Sequence, residues 1–250
     1  MRWIRLGVLV AGLILVWQMT VIISGAPSYI LPGPFRVMRA LITHPVVLFR
    51  HTLVTGMEIV AGLLIGTVFG AASALFMIAF KPAKRWLFPV LVISQAIPVF
   101  ALAPLLVLWL GYGAGSKIAM AVLIIFFPVT AAFYDGLRRT DPEWLELARV
   151  MDASPGAILR HVRIPAALPA FASGLRVATA VAPIGAVVGE WVGASKGLGF
   201  YMLHANARMQ TDLMFAALVV LATLALVLYF SVDRIMTRLV YWQVEEEKEG

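Results

Sequence analysis

The chain has 250 residues, of which 62% are hydrophobic and 13% charged, and it contains no cysteine. A soluble domain of this length could not bury so much apolar surface, so the composition indicates a membrane protein. The missing cysteines exclude disulfides, thiol catalysis and cysteine-based metal sites. The net charge of +7 favours orientation of the chain by cytoplasmic Lys and Arg over nucleic-acid binding.

Six apolar stretches predict transmembrane helices, because roughly 20 residues cross a bilayer as a helix. Leu, Val, Ile and Ala dominate them without strict alternation, which favours helices over a membrane β-barrel. The predicted spans are about 6–23, 52–80, 87–110, 117–134, 170–192 and 213–232, with a polar loop at 135–169. The expected fold class is therefore an all-α integral membrane protein, with residues 1–250 forming a single transmembrane domain.

The first span resembles a signal peptide in its basic start and in the small residues that follow it at Ser24–Ala26. Its apolar run is long for a signal peptide, and Pro27 would directly follow the cleavage site, so a retained helix is predicted. Four prolines make 24–51 a loop with one short surface helix around Phe35–Thr43.

Glycines recur every fourth residue in two of the spans. Gly62, Gly66 and Gly70 share one face of the second span, and Gly185 and Gly189 share one face of the fifth. Small residues at this spacing let another helix backbone approach closely. The pattern predicts helix packing at both faces.

The third span contains Pro89, Pro98 and Pro104. Each proline removes a backbone donor and bends or interrupts a helix. Irregular backbone at membrane depth is tolerated where it is buried in protein or lines a cavity. Gln95, next to the expected bend, is therefore a candidate for a transport pathway.

Lys and Arg are unevenly distributed between the two sides of a six-span topology. With both termini cytoplasmic, the inner segments hold 13 Lys/Arg and the outer segments hold 6. The bias predicts cytoplasmic termini and a cytoplasmic 135–169 loop.

Two capping signals punctuate that loop, Asp141-Pro142 and Ser154-Pro155. Asp or Ser caps a helix start and Pro suits the first helical position, which predicts short helices at about 142–151 and 155–162. Leu145, Ala148 and Val150 are expected to face apolar neighbours in the first helix, and Pro165 and Pro169 to separate the second helix from the fifth span. The loop either docks a soluble partner or is an ordinary solvated connection.

Ionisable groups inside the spans are costly and often mark a pathway. Glu190, with Trp191 beside it, and Glu58 join Gln95 as candidates. The alternative for each is a satisfied structural hydrogen bond, which for Glu58 could involve His51. Arg176 is expected to pair with an inner group or to extend to the cytoplasmic surface.

One frame in the loop carries a specific resemblance. Glu146-Leu147-Ala148, three residues, Asp152, nine residues and Val162-Arg163-Ile164-Pro165 follow in order. This resembles the signature Glu-Ala-Ala, three residues, Gly, nine residues, Ile-x-Leu-Pro of permeases from bacterial ATP-binding-cassette (ABC) importers. Leu147 and Asp152 depart from it, and Asp152 must adopt at a cost the conformation that Gly adopts freely.

The resemblance extends along nearly the whole chain. Ser94–Pro98, Phe126–Val129, Asp135–Arg138 and Gly189–Trp191 are similar to the nitrate, sulfonate and taurine branch of these importers. Three stretches, 99–113, 182–199 and 202–218, look most like permeases for hydroxymethylpyrimidine, a thiamine precursor.

The resemblance implies a type I permease fold in the bacterial inner membrane, working as a homodimer with two cytoplasmic ATPase subunits and a periplasmic binding protein. Glu146, Leu147, Ala148, Asp152 and Pro165 would belong to the segment that couples to the ATPase. The chain itself would be no enzyme and hold no cofactor, since ATP and Mg would bind the partner. The sequence agrees, because it contains no Gly-x-x-x-x-Gly-Lys-Ser/Thr phosphate loop.

Three alternatives remain at this point. The same importer type could carry a sulfonate, taurine or nitrate. A secondary transporter would suit broken helices and an intramembrane Glu, but the sequence contains no inverted repeat. A membrane-embedded enzyme would need convergent catalytic groups, for which only Glu190 and His204 offer a pair.

Overall fold

The computed structural model describes residues 2–242, and every regular element in that range is helical. Residues 243–250, the predicted cytoplasmic C-terminal end, lie outside the described residues. The elements are α1 (Arg2–Ser24), α2 (Pro34–Thr43), α3 (Pro45–Ala79), α4 (Lys81–Ala96), α5 (Val99–Leu110), α6 (Ala114–Arg138), α7 (Pro142–Val150), α8 (Pro155–Ile158), a π-helical turn (Leu159–Arg163), α9 (Ile164–Gly193), α10 (Leu198–Ala207) and α11 (Thr211–Leu239).

Five spans among the described residues are long and apolar enough to cross a membrane. They are α1, α3, α6, α11 and the continuous stretch Pro155–Gly193. The bent pair α4–α5 makes a sixth if it counts as one span. The prediction of an all-helical membrane protein with about six spans is thus confirmed.

The centre of the protein is the packing of α6 against α3 and α9. Gly62, Gly66 and Gly70 of α3 lie against Ala121, Ile125 and Val129 of α6, so these two helices run parallel. Gly185 and Gly189 of α9 lie against Ala121 and Lys117, in the antiparallel sense. A Cβ added at Gly185 would stand 2.7 Å from the Ala121 Cα atom, so only glycine permits this approach.

The amount of burial decreases from this centre outward. In the stretch Pro155–Gly193 61% of the most apolar window is buried, whereas none of the window Gly7–Ser24 is. Apolar side chains on α1, α4 and α5 are left exposed on the single chain. Such a surface suits lipid or a further subunit.

The bend or interruption predicted for the third span, 87–110, is confirmed at Pro98. The structure divides it into α4 and α5, which meet at an angle of 102°. Ile97 has an extended backbone, with φ −83° and ψ 120°. Pro98 explains the break, because a residue that precedes proline is pushed out of the α conformation and proline supplies no donor.

The fifth span was expected to begin at 170, separated from the loop by Pro165 and Pro169; this expectation is wrong. A continuous helical path joins α8 to α9 through the π-helical turn, in which Ile164 N donates to Leu159 O. The wider turn accommodates the missing Pro165 donor without a break. α3 likewise begins at Pro45 instead of 52, and α10 had no counterpart among the predicted elements.

The bundle therefore has two ends. The α7 end holds α7, α8 and the start of α9. The distal end holds the beginnings of α3 and α6, the last turn of α9, and α10. Most of the candidate site residues lie at these two ends.

Candidate functional site

Helix α7 is built from local signals. The Asp141 carboxylate accepts a hydrogen bond from Glu143 N at 2.9 Å, and Ser154 Oγ accepts one from Ala157 N at 3.2 Å. These bonds satisfy amides that a helix start leaves unpaired. Both predicted caps are confirmed.

The end of α7 is a Schellman turn. Ala153 N donates to Ala148 O and Asp152 N donates to Arg149 O, both at 3.0 Å. Asp152 occupies the left-handed position with φ +56°. Glycine is the usual residue there, so the expectation that Asp152 adopts the conformation of the signature glycine is confirmed.

The α7 helix presents apolar side chains to its surroundings. Trp144 is 56% exposed, Leu147 62% and Val150 84%, and Met151 just after the helix is also exposed. The expectation that Val150 faces apolar neighbours is wrong, whereas Ala148 is half-buried as expected. No residue of α7 is buried.

An open groove of about 690 Å³ runs between α7 and the start of α9. Its lining is mostly apolar and comes from α7 and the residue after it, the π-helical turn, α9 and the segment after α11: Trp144, Leu147, Ala148, Met151, His161, Val162, Pro165, Ala166, Pro169 and Trp242. Glu146 stays on the exposed surface of α7. The α7 end therefore combines an exposed apolar helix with a groove beside it.

The distal end has the opposite character, because polar side chains are buried there. Glu190 of α9 is 1% exposed. Its Oε1 accepts from Thr55 Oγ1 at 2.6 Å, and its Oε2 accepts from Gly199 N at 2.5 Å and from Phe200 N at 3.2 Å. Glu190 thereby caps the start of α10 from a different helix.

Two further side chains hold the start of α10. Thr55 Oγ1 accepts from Leu198 N at 2.8 Å, and His51 Nδ1 accepts from Gly197 N at 2.9 Å. The possible pairing of His51 with Glu58 is therefore not what the structure shows. Tyr201 stacks on His51 with ring centroids 5.0 Å apart, and burial, with Asp212 nearby, raises the pKa of the Tyr201 hydroxyl.

Lys117 closes the same region from α6. Its Nζ donates to Tyr112 O at 2.5 Å, Gly113 O at 2.8 Å and Gly193 O at 2.6 Å. The lysine is 2% exposed. It joins the turn before α6 to the last turn of α9, where a cation suits the helix dipole.

Glu58 is the fourth polar side chain at this end. It is 5% exposed and stands one helical turn after Thr55, whose hydroxyl donates to Glu190, so the two carboxyl groups are neighbours. Its Oε2 atom is buried and has no hydrogen-bond partner in the described part of the chain. We call the set Thr55, Glu58, Lys117 and Glu190 the distal cluster.

Residues 59–241 match the profile of a family described as the inner membrane component of binding-protein-dependent transport systems. This chain belongs to that family. It is the permease subunit of a binding-protein-dependent ABC importer, a transport subunit that performs no catalysis.

Relatives match over nearly the whole permease. A probable ABC transporter permease of Haemophilus influenzae is 58% identical, over 94% of this chain and 96% of the relative. The formylaminopyrimidine transport permease ThiX of Halalkalibacterium halodurans is 36% identical, over 94% of each chain. The riboflavin transport permease RibX of Chloroflexus aurantiacus is also 36% identical, over 97% of this chain and 92% of its own.

A solved structure shares the fold. The methionine ABC transporter MetNI in an inward-facing conformation aligns with a TM-score of 0.67 and 23% identity, over 78% of this chain and 96% of that chain. The fold of an ABC importer permease, which the signature in 135–169 predicted, is thereby confirmed.

The structure separates the permease's four candidate pathway residues. Glu58 and Glu190 meet in the distal cluster, and Glu190 already has three hydrogen-bond donors. Gln95 is exposed in the last turn of α4, directly before the bend. Trp191 is 50% exposed on α9.

Sequence reasoning missed Thr55 and Lys117. Both stand in apolar surroundings, and Lys117 is the first residue of the predicted fourth span, directly after a glycine-rich turn. The sequence did contain one usable signal for the cap of α10, because Glu190 is followed seven residues later by Gly197-Leu198-Gly199. That spacing lets the Glu190 carboxylate reach the first backbone amides of the next helix. Arg176 forms an ion pair with Asp233 of α11 at 2.6 Å.

Proposed function

We propose that this permease imports a pyrimidine precursor of thiamine, such as hydroxymethylpyrimidine, from the periplasm into the cytoplasm. The support comes from the relative that transports formylaminopyrimidine and from the three stretches that resemble hydroxymethylpyrimidine permeases. In this proposal two copies of the chain form the pathway, with two ATPase subunits on the cytoplasmic side and a binding protein outside.

Helix α7 is the element that docks into the ATPase in this proposal. The observation that carries this role is its uncovered apolar side chains, Trp144, Leu147 and Val150, on a helix capped at both ends. Central contacts of this kind provide most of the binding energy of protein interfaces. Glu146 adds a charge beside them, and the left-handed Asp152 ends the helix sharply. The α7 end is then cytoplasmic, as the Lys/Arg distribution favours.

The helical connection from α7 to the distal end suggests how the two sides communicate. Pro155–Gly193 runs for 39 residues from the α7 end, where Pro165 lines the groove, to the distal cluster. We expect ATP binding to bring the two α7 helices together, and the closely packed α9 to carry that displacement outward. Packed helices shift between discrete arrangements instead of deforming continuously.

Gln95 and Trp191 are the pathway residues that we favour for contact with substrate. Gln95 is an exposed amide at a break in an apolar hairpin, and Trp191 offers a flat ring on which a pyrimidine could stack. Glu190 directly precedes Trp191 on α9, and Glu58 is the neighbour of Glu190 in the distal cluster. Their mutual contact and the hydrogen bonds of Glu190 favour a structural role for both.

Riboflavin is the second candidate substrate. The riboflavin permease is as similar in identity as the formylaminopyrimidine permease. Sulfonate and taurine permeases are less similar, at 29% and 28% identity. Both leading candidates contain a flat nitrogen heterocycle, which Trp191 would suit.

Uptake by the reconstituted transporter tests the proposal. The complex is purified from its native membrane, reconstituted in liposomes with its binding protein, and offered labelled hydroxymethylpyrimidine with and without ATP. We expect ATP-dependent uptake that unlabelled formylaminopyrimidine suppresses and taurine does not. Uptake of riboflavin alone would overturn the assignment of a pyrimidine substrate, and uptake without ATP would overturn the importer mechanism.

A further inference from the structure

We propose that Glu58 is a neutral carboxylic acid that donates a hydrogen bond to the Glu190 carboxylate, and that this pair positions α10 for transport. The claim that the pair positions α10 for transport rests on the proposed function. The claim that Glu58 is protonated concerns this chain alone.

The hydrogen bonds of Glu190 identify it as the ionised member. Two backbone amides, Gly199 N and Phe200 N, donate to its Oε2 atom. These amides belong to the first turn of α10, where the helix dipole also favours a negative charge. Thr55 adds a hydroxyl at Oε1. A carboxylate that accepts several such bonds is stabilised in its charged form.

Glu58 has none of this support. Its side chain is buried, and its Oε2 atom has no donor among the described residues. An ionised Glu58 would place a second negative charge against Glu190, and two adjacent buried carboxylates do not both stay ionised. A neutral Glu58 has one O–H to donate, and Glu190 lies within reach.

The neighbouring basic groups do not supply a second positive charge. All three N–H groups of Lys117 are used by the carbonyl oxygens of Tyr112, Gly113 and Gly193. His51 accepts from Gly197 N through Nδ1, which leaves its ring neutral with the proton on Nε2. Lys196, in the loop between α9 and α10, is exposed. The buried Lys117 cation is therefore balanced by one carboxylate, that of Glu190. Glu58 is the neutral member of the distal cluster.

The pair matters for α10 because side chains of other helices hold this helix at its first turn. A Cβ added at Gly197 would collide with the Glu190 carboxyl group, and the residue has a φ of +116°, so this position requires glycine. Leu198, Gly199 and Phe200 then donate to Thr55 and Glu190. A shift of Glu190 would release several amides of α10 at once, and Glu58 acts with Thr55, one turn earlier on α3, to fix the position of Glu190.

Two isosteric substitutions separate this proposal from a general need for carboxylates. Glu58→Gln keeps a neutral donor, so we expect ATP-dependent uptake within about twofold of wild type. Glu190→Gln removes the charge that the α10 amides stabilise, so we expect uptake to fall by about tenfold or more. Equal losses in both variants, or a larger loss in Glu58→Gln, would overturn the proposal. If Glu190→Gln does not fold, Glu58→Leu decides, because it removes the donor and should lower uptake by about fivefold or more. Uptake in Glu58→Leu equal to that in Glu58→Gln would overturn the positioning role.

Infrared spectroscopy gives a readout that a merely structural role would not change. The difference spectrum between wild type and Glu58→Gln should contain the C=O stretch of a protonated carboxylic acid. The matched control, Asp135→Asn, alters an exposed carboxylate and should show only carboxylate bands. Absence of the acid band would overturn the proposal. Because the spectrum needs neither ATPase nor substrate, its outcome is independent of the proposed function.

Discussion

Helices α6 and α7 are separated by only three residues, yet their surroundings differ completely. Ten of the 25 residues of α6 are buried between α3 and α9. None of the nine residues of α7 is buried, although Trp144, Leu147 and Val150 are apolar. The contrast teaches that α6 completes its packing within this chain, whereas α7 leaves its apolar side chains uncovered, as the ATPase docking that we propose requires. Substitutions in α6 contacts should therefore affect folding, and those in α7 should affect only assembly.

The largest effect is expected for Gly185→Leu. A Cβ there would stand 2.7 Å from the Ala121 Cα atom and 3.2 Å from the Met120 carbonyl oxygen, and backbone cannot yield. We expect the free energy of unfolding to fall by about 3 kcal/mol or more, and size-exclusion chromatography to yield little monodisperse protein. Gly12→Leu is the control, because no described residue outside the adjoining backbone of α1 lies within 4 Å of a Cβ added there. Equal yields of the two variants would refute the close packing of α6 and α9.

A smaller loss is expected for Gly66→Leu on α3. Its nearest neighbours are side-chain atoms of Ile125, at 2.8 and 3.0 Å, which can rearrange in part. We expect a folded protein with a lower thermal midpoint, corresponding to about 1–3 kcal/mol. An unchanged midpoint and normal dimerisation would show that this face tolerates bulk.

On α7 the expected effect moves from folding to assembly. Leu147→Asp places a charge in the apolar face that we assign to ATPase docking, and Leu147 is 62% exposed. We expect association weaker by about 2 kcal/mol, roughly thirtyfold, with the thermal midpoint unchanged. Glu146→Lys should also weaken association, and Leu147→Met should retain it. A fall in the thermal midpoint would mean that α7 is packed within the chain.

A still smaller effect is expected for the ion pair between Arg176 and Asp233. The two side chains are 30% and 39% exposed, so solvent screens their attraction. A double-mutant cycle with Arg176→Met and Asp233→Asn should give a coupling energy of about 1 kcal/mol or less. A coupling of several kcal/mol would mark the pair as a tighter connection between α9 and α11 than its exposure indicates.

The smallest effect is expected for Asp152→Gly in the turn after α7. Glycine adopts the left-handed conformation without strain, but it also has more conformational entropy in the unfolded chain. The net increase in the free energy of unfolding should therefore stay below about 1 kcal/mol. Slower hydrogen exchange at the Ala153 amide, which closes the turn, would report it. Faster exchange would show that the Asp152 side chain supports this turn.

What the sequence could predict depended on how local the cause was. Asp141 and Ser154 cap the helices that follow them at once, so their elements were predictable. Helix α10 was not, because its first turn is capped by Glu190 and Thr55 from other helices. The continuity of α8 with α9 was missed for a related reason, since a π-helical turn that absorbs Pro165 leaves no plain sequence signal.

The distal cluster shows the same limit for predicting the candidate site from the sequence. Glu190 and Glu58 could be singled out as costly groups inside spans, but their meeting depends on how α3 packs against α9. Lys117 and Thr55 gave no separate signal. Burial of all four in one place is a property of the fold.

The central claim is that α7 is the docking element for a separate ATPase. The most direct measurement is to purify the tagged wild-type chain and the Leu147→Asp variant from native membranes in mild detergent and to quantify the soluble ATPase recovered with each. We predict a stoichiometric ATPase with wild type and a large loss with the variant, while both permeases remain monodisperse. Equal recovery with both chains, or none with either, would contradict the assignment of α7.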